Sequence, residues 1–157
     1  MRPAGAEERE GGEAHATALH NARLKAQAIT PDAPTGARVL GVDTVVVLDG
    51  EVLGKPEDAA HARAMVARLQ GRTHTVVSGL HLTSAGEGTE ATAVAFRPLD
   101  TEAIDRYVAL GEWRGRAGGY AIQERGAALV RRIEGDYLNV VGLPVGLLLD
   151  LAPDLLG

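Results

Sequence analysis

Apolar residues along this chain recur in two rhythms, and the rhythm changes at glycine, proline or aspartate. Over residues 13–29, Ala18, Ala22, Leu24 and Ala28 fit the stripe of a helix, which Thr30-Pro31 ends because proline cannot continue the hydrogen-bond ladder. Residues 1–12 show no apolar period and read as a loop or disordered tail. A strand then starts near Arg38 and runs through Leu48, with a β-branched run after Asp43. Asp49-Gly50 is a strong hairpin signal, and a short second strand follows, ending at Lys55-Pro56.

Pro56-Glu57-Asp58 predicts the start of a helix reaching about Leu69, with acids suiting its N-terminal dipole. Residues 74–83 and 89–97 read as an antiparallel pair around a loop at 84–88. Thr101-Glu102 caps a helix ending near Ala109. A glycine-rich stretch at 111–119 leads into strands at 120–122 and about 127–133. Gly135-Asp136-Tyr137 turns, and residues 145–156 form a final apolar helix after Gly142-Leu143-Pro144. The sum is one α/β domain over 157 residues, with a mixed, partly antiparallel sheet.

The hairpin is where chemistry enters this pattern. If it closes at Asp49-Gly50, Asp43 and Lys55 lie near the same open end, roughly one side-chain length apart. Such a pair can be a solvated cross-strand contact or the acid and base of a metal-phosphate site. Asp43 sits in an apolar stretch, where a carboxylate needs a metal, a cation or hydrogen bonds to stay ionised. Lys55 precedes a proline that holds its backbone extended. Gln123 follows the glycine-rich approach and can read a base edge, orient a water or simply face solvent. No GxGxxG or Walker pattern is present, so the glycines alone do not make a phosphate cradle.

Composition narrows the partners. A net charge of −5 argues against a broad grip on nucleic acid while leaving room for a local basic pocket, and the single Phe, single Trp and three Tyr offer few stacking surfaces. With no cysteine there is no thiolate site, so any metal here is a hard, oxygen-bound one. No membrane span or signal-peptide pattern is evident, and a soluble cytoplasmic protein is expected. None of the five histidines is spaced as a metal set, and His74 reads as a hydrogen-bonding structural residue. Ser78 and Ser84 lack a nucleophile elbow.

Six segments in order resemble the Maf family: 21–26 (NARLKA), 42–46 (VDTVV), 53–56 (LGKP), 69–74 (LQGRTH), 117–123 (AGGYAIQ) and 135–144 (GDYLNVVGLP). The resemblance covers nearly all of the chain after residue 20. It implies an elongated α/β fold similar to that of inosine triphosphate pyrophosphatases, with two lobes around a cleft. The implied activity is nucleoside triphosphate pyrophosphatase, giving a monophosphate and pyrophosphate with Mg2+ or Mn2+. By resemblance, Asp43 is the general base or a metal ligand, and Lys25 and Lys55 neutralise phosphate. Gln123 is the strand-end glutamine near the substrate, and Glu8 a further metal ligand. Asp43-Thr44 looks like the branch acting on dTTP and UTP, which makes Thr44 a substrate-binding residue. A homodimer is also implied.

Family members begin with a strand, a Ser-x-Ser-x-Arg-Arg type loop and a helix, a unit that would lie ahead of Pro3. Glu124 stands where the family commonly has glycine. The alternative expectation is therefore a catalytically impaired nucleotide-binding regulatory protein linked to septum formation.

Overall fold

The computed structural model describes residues 4–157, with side chains from Gly12 onward. Helix α1 (Ala4–Ile29) is far longer than the helix expected over 13–29, so residues 4–12 are helical rather than a loop. Glu8 and its proposed metal role fall outside the residues whose side chains are described. Strands β1 (Leu40–Leu48) and β2 (Glu51–Leu53) form the hairpin, and α2 (Ala59–Leu69) follows. Next come β3 (Thr73–Leu82), β4 (Gly86–Phe96), α3 (Thr101–Ala109), β5 (Val130–Glu134), α4 (Tyr137–Val141) and α5 (Val145–Leu151). The sheet order is β2-β1-β3-β4-β5. Every pairing among the described residues is antiparallel, where a mixed sheet was expected.

The turn joining β1 to β2 is the one Asp-Gly encodes. Asp49 and Gly50 both have positive φ, at 50° and 77°, and that twist matches the flanking strands. Asp58 rather than an earlier residue caps α2, accepting from His61 N at 2.7 Å. Asp100 does the same for α3, one residue ahead of the expected Thr101.

One face of the sheet carries α1 at backbone contact distance. Its buried stripe is Ala14, Ala18, Ala22 and Ala26, whereas Leu24 is 51% exposed and Ala28 also faces outward. A methyl on Gly41 would fall 2.0 Å from the Ala22 carbonyl oxygen, and one on Gly79 would fall 2.4 Å from the Ala18 backbone. Glycine is required at both positions because no side chain fits beneath the helix.

The opposite face holds the large-residue core. Val46, Leu48, Val76, Val94 and Phe96 from the strands meet Val66 and Leu69 of α2, Ile104 and Tyr107 of α3, and Trp113. His74 lies among them, its Nε2 2.6 Å from the Tyr120 hydroxyl, with Phe96 and Tyr120 packed edge-on. Burial lowers the His74 pKa to about 4.

Residues 120–122, expected as a strand, are buried outside the sheet. Gly118 and Gly119 precede them with positive φ, and the Ala121 N–H donates to the Tyr107 hydroxyl at 3.0 Å instead of to a strand neighbour. Tertiary contacts override β propensity here. Residues 125–129 form a 3-10 turn ahead of β5, and the final apolar segment divides into α5 and a second 3-10 turn at Pro153–Leu156. No helix among the described residues is long and apolar enough to cross a membrane.

Candidate active site

The cavity opens where β2 peels away from β1. Their ladder covers only Val46–Leu53, Val47–Val52 and Leu48–Glu51, so on that side β1 pairs with no strand from Leu40 to Val45 among the described residues. Along a strand, successive side chains alternate faces, which normally keeps neighbours apart. At an open edge both faces border the same space. Asp43, from the α1 face, and Thr44, from the core face, therefore line one cavity of about 200 Å3.

Close packing of α1 determines what meets Asp43. With Ala22 seated on Gly41, Asn21 and Lys25, one helical turn apart, project toward the carboxylate. Lys25 Nζ donates to Oδ1 at 2.7 Å and to the Val42 carbonyl at 3.0 Å, while Asn21 Nδ2 donates to Oδ2 at 3.0 Å. The Asp43 side chain is 15% exposed, and this pair of donors, one on each oxygen, fixes the plane of a carboxylate that would otherwise be poorly solvated. The two halves of the expected Asp43–Lys55 pair thus separate: Lys25 takes the carboxylate.

Lys55 nevertheless lines the same cavity. It stands two residues beyond the end of β2 and is exposed, and the Gly54 carbonyl before it accepts from Gly118 N at 3.1 Å. That bond ties the hairpin to the glycine-rich segment, which brings Arg116 and Gln123 to the rim. Among the described residues neither Lys55 nor Arg116 has a carboxylate within ion-pair distance, although most arginines elsewhere are paired. Among the described residues that line it, three cations and one carboxylate give the cavity a net of two positive charges inside a chain of −5.

Asp43, Thr44, Lys25, Lys55 and Gln123, all singled out in the sequence, are brought together. Arg116 was missed, because it lies in a segment without apolar rhythm; a cation directly before Ala117-Gly118-Gly119 is the signal that marks it. Also missed was α4, whose Val140 and Val141, followed by Gly142, form an apolar wall.

Thr44 is tied to that wall from beneath. Its Oγ1 lies 2.8 Å from Ser78 Oγ, and Ser78 donates to the Asn139 carbonyl at 3.3 Å. Asn139 is fully buried at the centre of α4 and donates through Nδ2 to the Val76 carbonyl and to Thr92 Oγ1, each at 3.1 Å. As for metal ligands, no cluster of three or more His, Cys, Asp or Glu exists among the described residues. Among the described residues Asp43 is the one carboxylate lining the cavity.

Comparison with known proteins places the chain in a family. The family model described as Maf-like protein matches residues 1–155. A dTTP/UTP pyrophosphatase of Pyrococcus furiosus is 46% identical over 138 residues, covering 86% of this chain and 72% of that protein. Proteins of the same name from Symbiobacterium thermophilum and Salmonella typhimurium are 52% and 48% identical, over 77% and 79% of this chain. The chain spans 63% and 64% of those two relatives. A match across almost every residue, together with six ordered motifs of which five contribute residues to one cavity, shows that the chain belongs to the Maf family.

Proposed function

We propose that this chain is a nucleoside triphosphate pyrophosphatase acting on dTTP- and UTP-type nucleotides. Water adds to the α-phosphorus, the α–β anhydride bond breaks with its electron pair leaving on pyrophosphate, and the monophosphate remains. The observation that carries the reading is the charge layout of the cavity: a fixed carboxylate, and two cations, Lys55 and Arg116, that have no anionic partner among the described residues. The names of the relatives support the choice of nucleotide.

Each residue has a role that its position allows. Asp43, oriented by Lys25 and Asn21, takes the proton of the attacking water as general base. Lys55, Arg116 and Lys25 offset charge on the phosphate oxygens, a form of stabilisation that grows as water is excluded. Gln123 offers an amide that can hydrogen-bond the substrate or the water. A single carboxylate, completed by waters and phosphate oxygens, suits Mg2+ or Mn2+, because such ions commonly bind through one or two carboxylates plus substrate phosphate. Asp43 would hold the ion, with Glu8 as the second ligand that the family resemblance suggests. When bound, the ion withdraws charge from the triphosphate. A cytoplasmic homodimer that acts on free nucleotides, without nucleic-acid or membrane partners, belongs to the same proposal.

The test is pyrophosphate release from dTTP and UTP with Mg2+ or Mn2+. Asp43→Asn is expected to lower kcat/KM by about a thousandfold, the scale of a lost general base, with the melting temperature little changed. Retained turnover in that variant removes Asp43 from the mechanism. Tight nucleotide binding without turnover in the parent protein would instead favour a regulatory nucleotide-binding role.

A further inference from the structure

The hydroxyl chain under Thr44 has a direction. A backbone carbonyl can only accept, so the Ser78 proton points at the Asn139 oxygen. Ser78 has no second proton. For the 2.8 Å contact between Ser78 and Thr44 also to be a hydrogen bond, Thr44 must donate to Ser78. Three oxygens share two protons, and only the order Thr44 to Ser78 to Asn139 satisfies both contacts. The Thr44 proton is thereby turned away from the cavity. What Thr44 presents to a ligand is an acceptor.

We propose that Ser78, which does not line the cavity, is a positioning residue that selects the nucleobase by holding Thr44 as a hydrogen-bond acceptor. The inference rests on the nucleotide reading given above and deepens it. Thr44 stands on the core face of β1 beside the apolar part of the cavity, where Val46, Val76, Val140 and Val141 suit a flat base better than a phosphate. Uracil and thymine carry an N3–H donor on the Watson–Crick edge. Cytosine presents a bare N3 acceptor at that position. Set opposite N3, a fixed acceptor pairs with the first two and meets the third lone pair to lone pair.

Ser78 is fully buried and cross-strand from Thr44. Replacing it with alanine frees the Thr44 hydroxyl to rotate and donate. The Asn139 carbonyl is not orphaned by that change, since it also accepts from Gly142 N at 3.1 Å. The fold therefore has a reason to survive the substitution.

The experiment is calorimetric binding of the α,β-methylene analogues of UTP and CTP to the full chain with Mg2+, so that the α–β bond cannot break and turnover does not enter. The parent protein is expected to bind UTP about tenfold more tightly than CTP, the discrimination of roughly one mispaired hydrogen bond. Ser78→Ala should bring the ratio close to one, chiefly by tightening CTP, whereas a merely structural role would weaken both nucleotides alike. Thr44→Val provides a second reading: it should lose UTP affinity without gaining CTP. An unchanged UTP to CTP ratio in either variant overturns the proposal. Equal binding of both nucleotides by the parent overturns it as well, while leaving the pyrophosphatase reading intact. If the parent binds neither nucleotide, the pyrophosphatase reading fails, and this inference falls with it.

Discussion

The two faces of the sheet are built on opposite principles. Under α1 the contact is backbone to backbone, with alanines over Gly41 and Gly79 and little side-chain volume to lose. On the other face, Leu48, Leu69, Phe96, Tyr107 and Trp113 interlock as bulky side chains. The first face is a spacing device, and it decides whether Asn21 and Lys25 reach Asp43. The second is a reservoir of buried apolar area that supplies stability, and only its margin at Thr44, Val46 and Val76 borders the cavity. One should fail when atoms are added, the other when atoms are removed.

Gly41→Ala is expected to have the largest effect. Its new methyl would meet the Ala22 oxygen at 2.0 Å and the Ala26 nitrogen at 2.8 Å, both main-chain atoms, so α1 must lift. We expect a loss of about 3 kcal/mol in stability, at the upper end for overpacking, and at least roughly a hundredfold loss of turnover as Lys25 and Asn21 leave the carboxylate. Denaturant melts and pyrophosphate release measure the two together. If turnover survives, the spacing argument is wrong.

Leu69→Ala, which deletes buried volume on the other face, should also cost about 3 kcal/mol. Here kcat/KM should stay within about twofold of the parent at temperatures where the variant is folded. A matching fall in kcat/KM would erase the distinction between the faces.

The mildest probe is pH. His74 is buried neutral, with its pKa lowered to about 4 from 6.5, so the unfolded chain binds more protons in that window. Stability is fully present above pH 6.5 and falls as pH drops toward 4, by up to about 1.4 kcal/mol per unit. His74→Gln should flatten this limb in acid-unfolding curves. A limb that persists in the variant would place its origin elsewhere.

Local features of this architecture were legible in the sequence. The Asp49-Gly50 turn, the antiparallel β3–β4 pair and the helix before Leu69 each depend on neighbours a few residues apart, and pattern finds such features well. What pattern missed depends on distance in the chain. The Asp43–Lys25 bond joins residues 18 apart, and nothing in the hairpin announces that a helix will sit close enough to capture its carboxylate. Leu24 looked like core because it is apolar, but the tight approach of α1 admits only alanine, and leucine is turned outward. Helix α4 was hidden by its brevity: five residues fall below any periodic window, although Asp136 as cap and Gly142 as stop bracket it. The strand expected at 120–122 failed because its amide is claimed by Tyr107.

The hairpin turn sets where Lys55 stands. Among the described residues that lysine has no ion pair to hold it, and its place is obtained by counting: two turn residues, three paired residues, one glycine whose carbonyl is tied to Gly118. Such an arrangement works as a ruler with its zero mark at Asp49. It delivers a long cation to a defined point with no described residue spent on holding the cation itself, so the ammonium group arrives at the cavity with its hydrogen-bonding capacity open to a ligand.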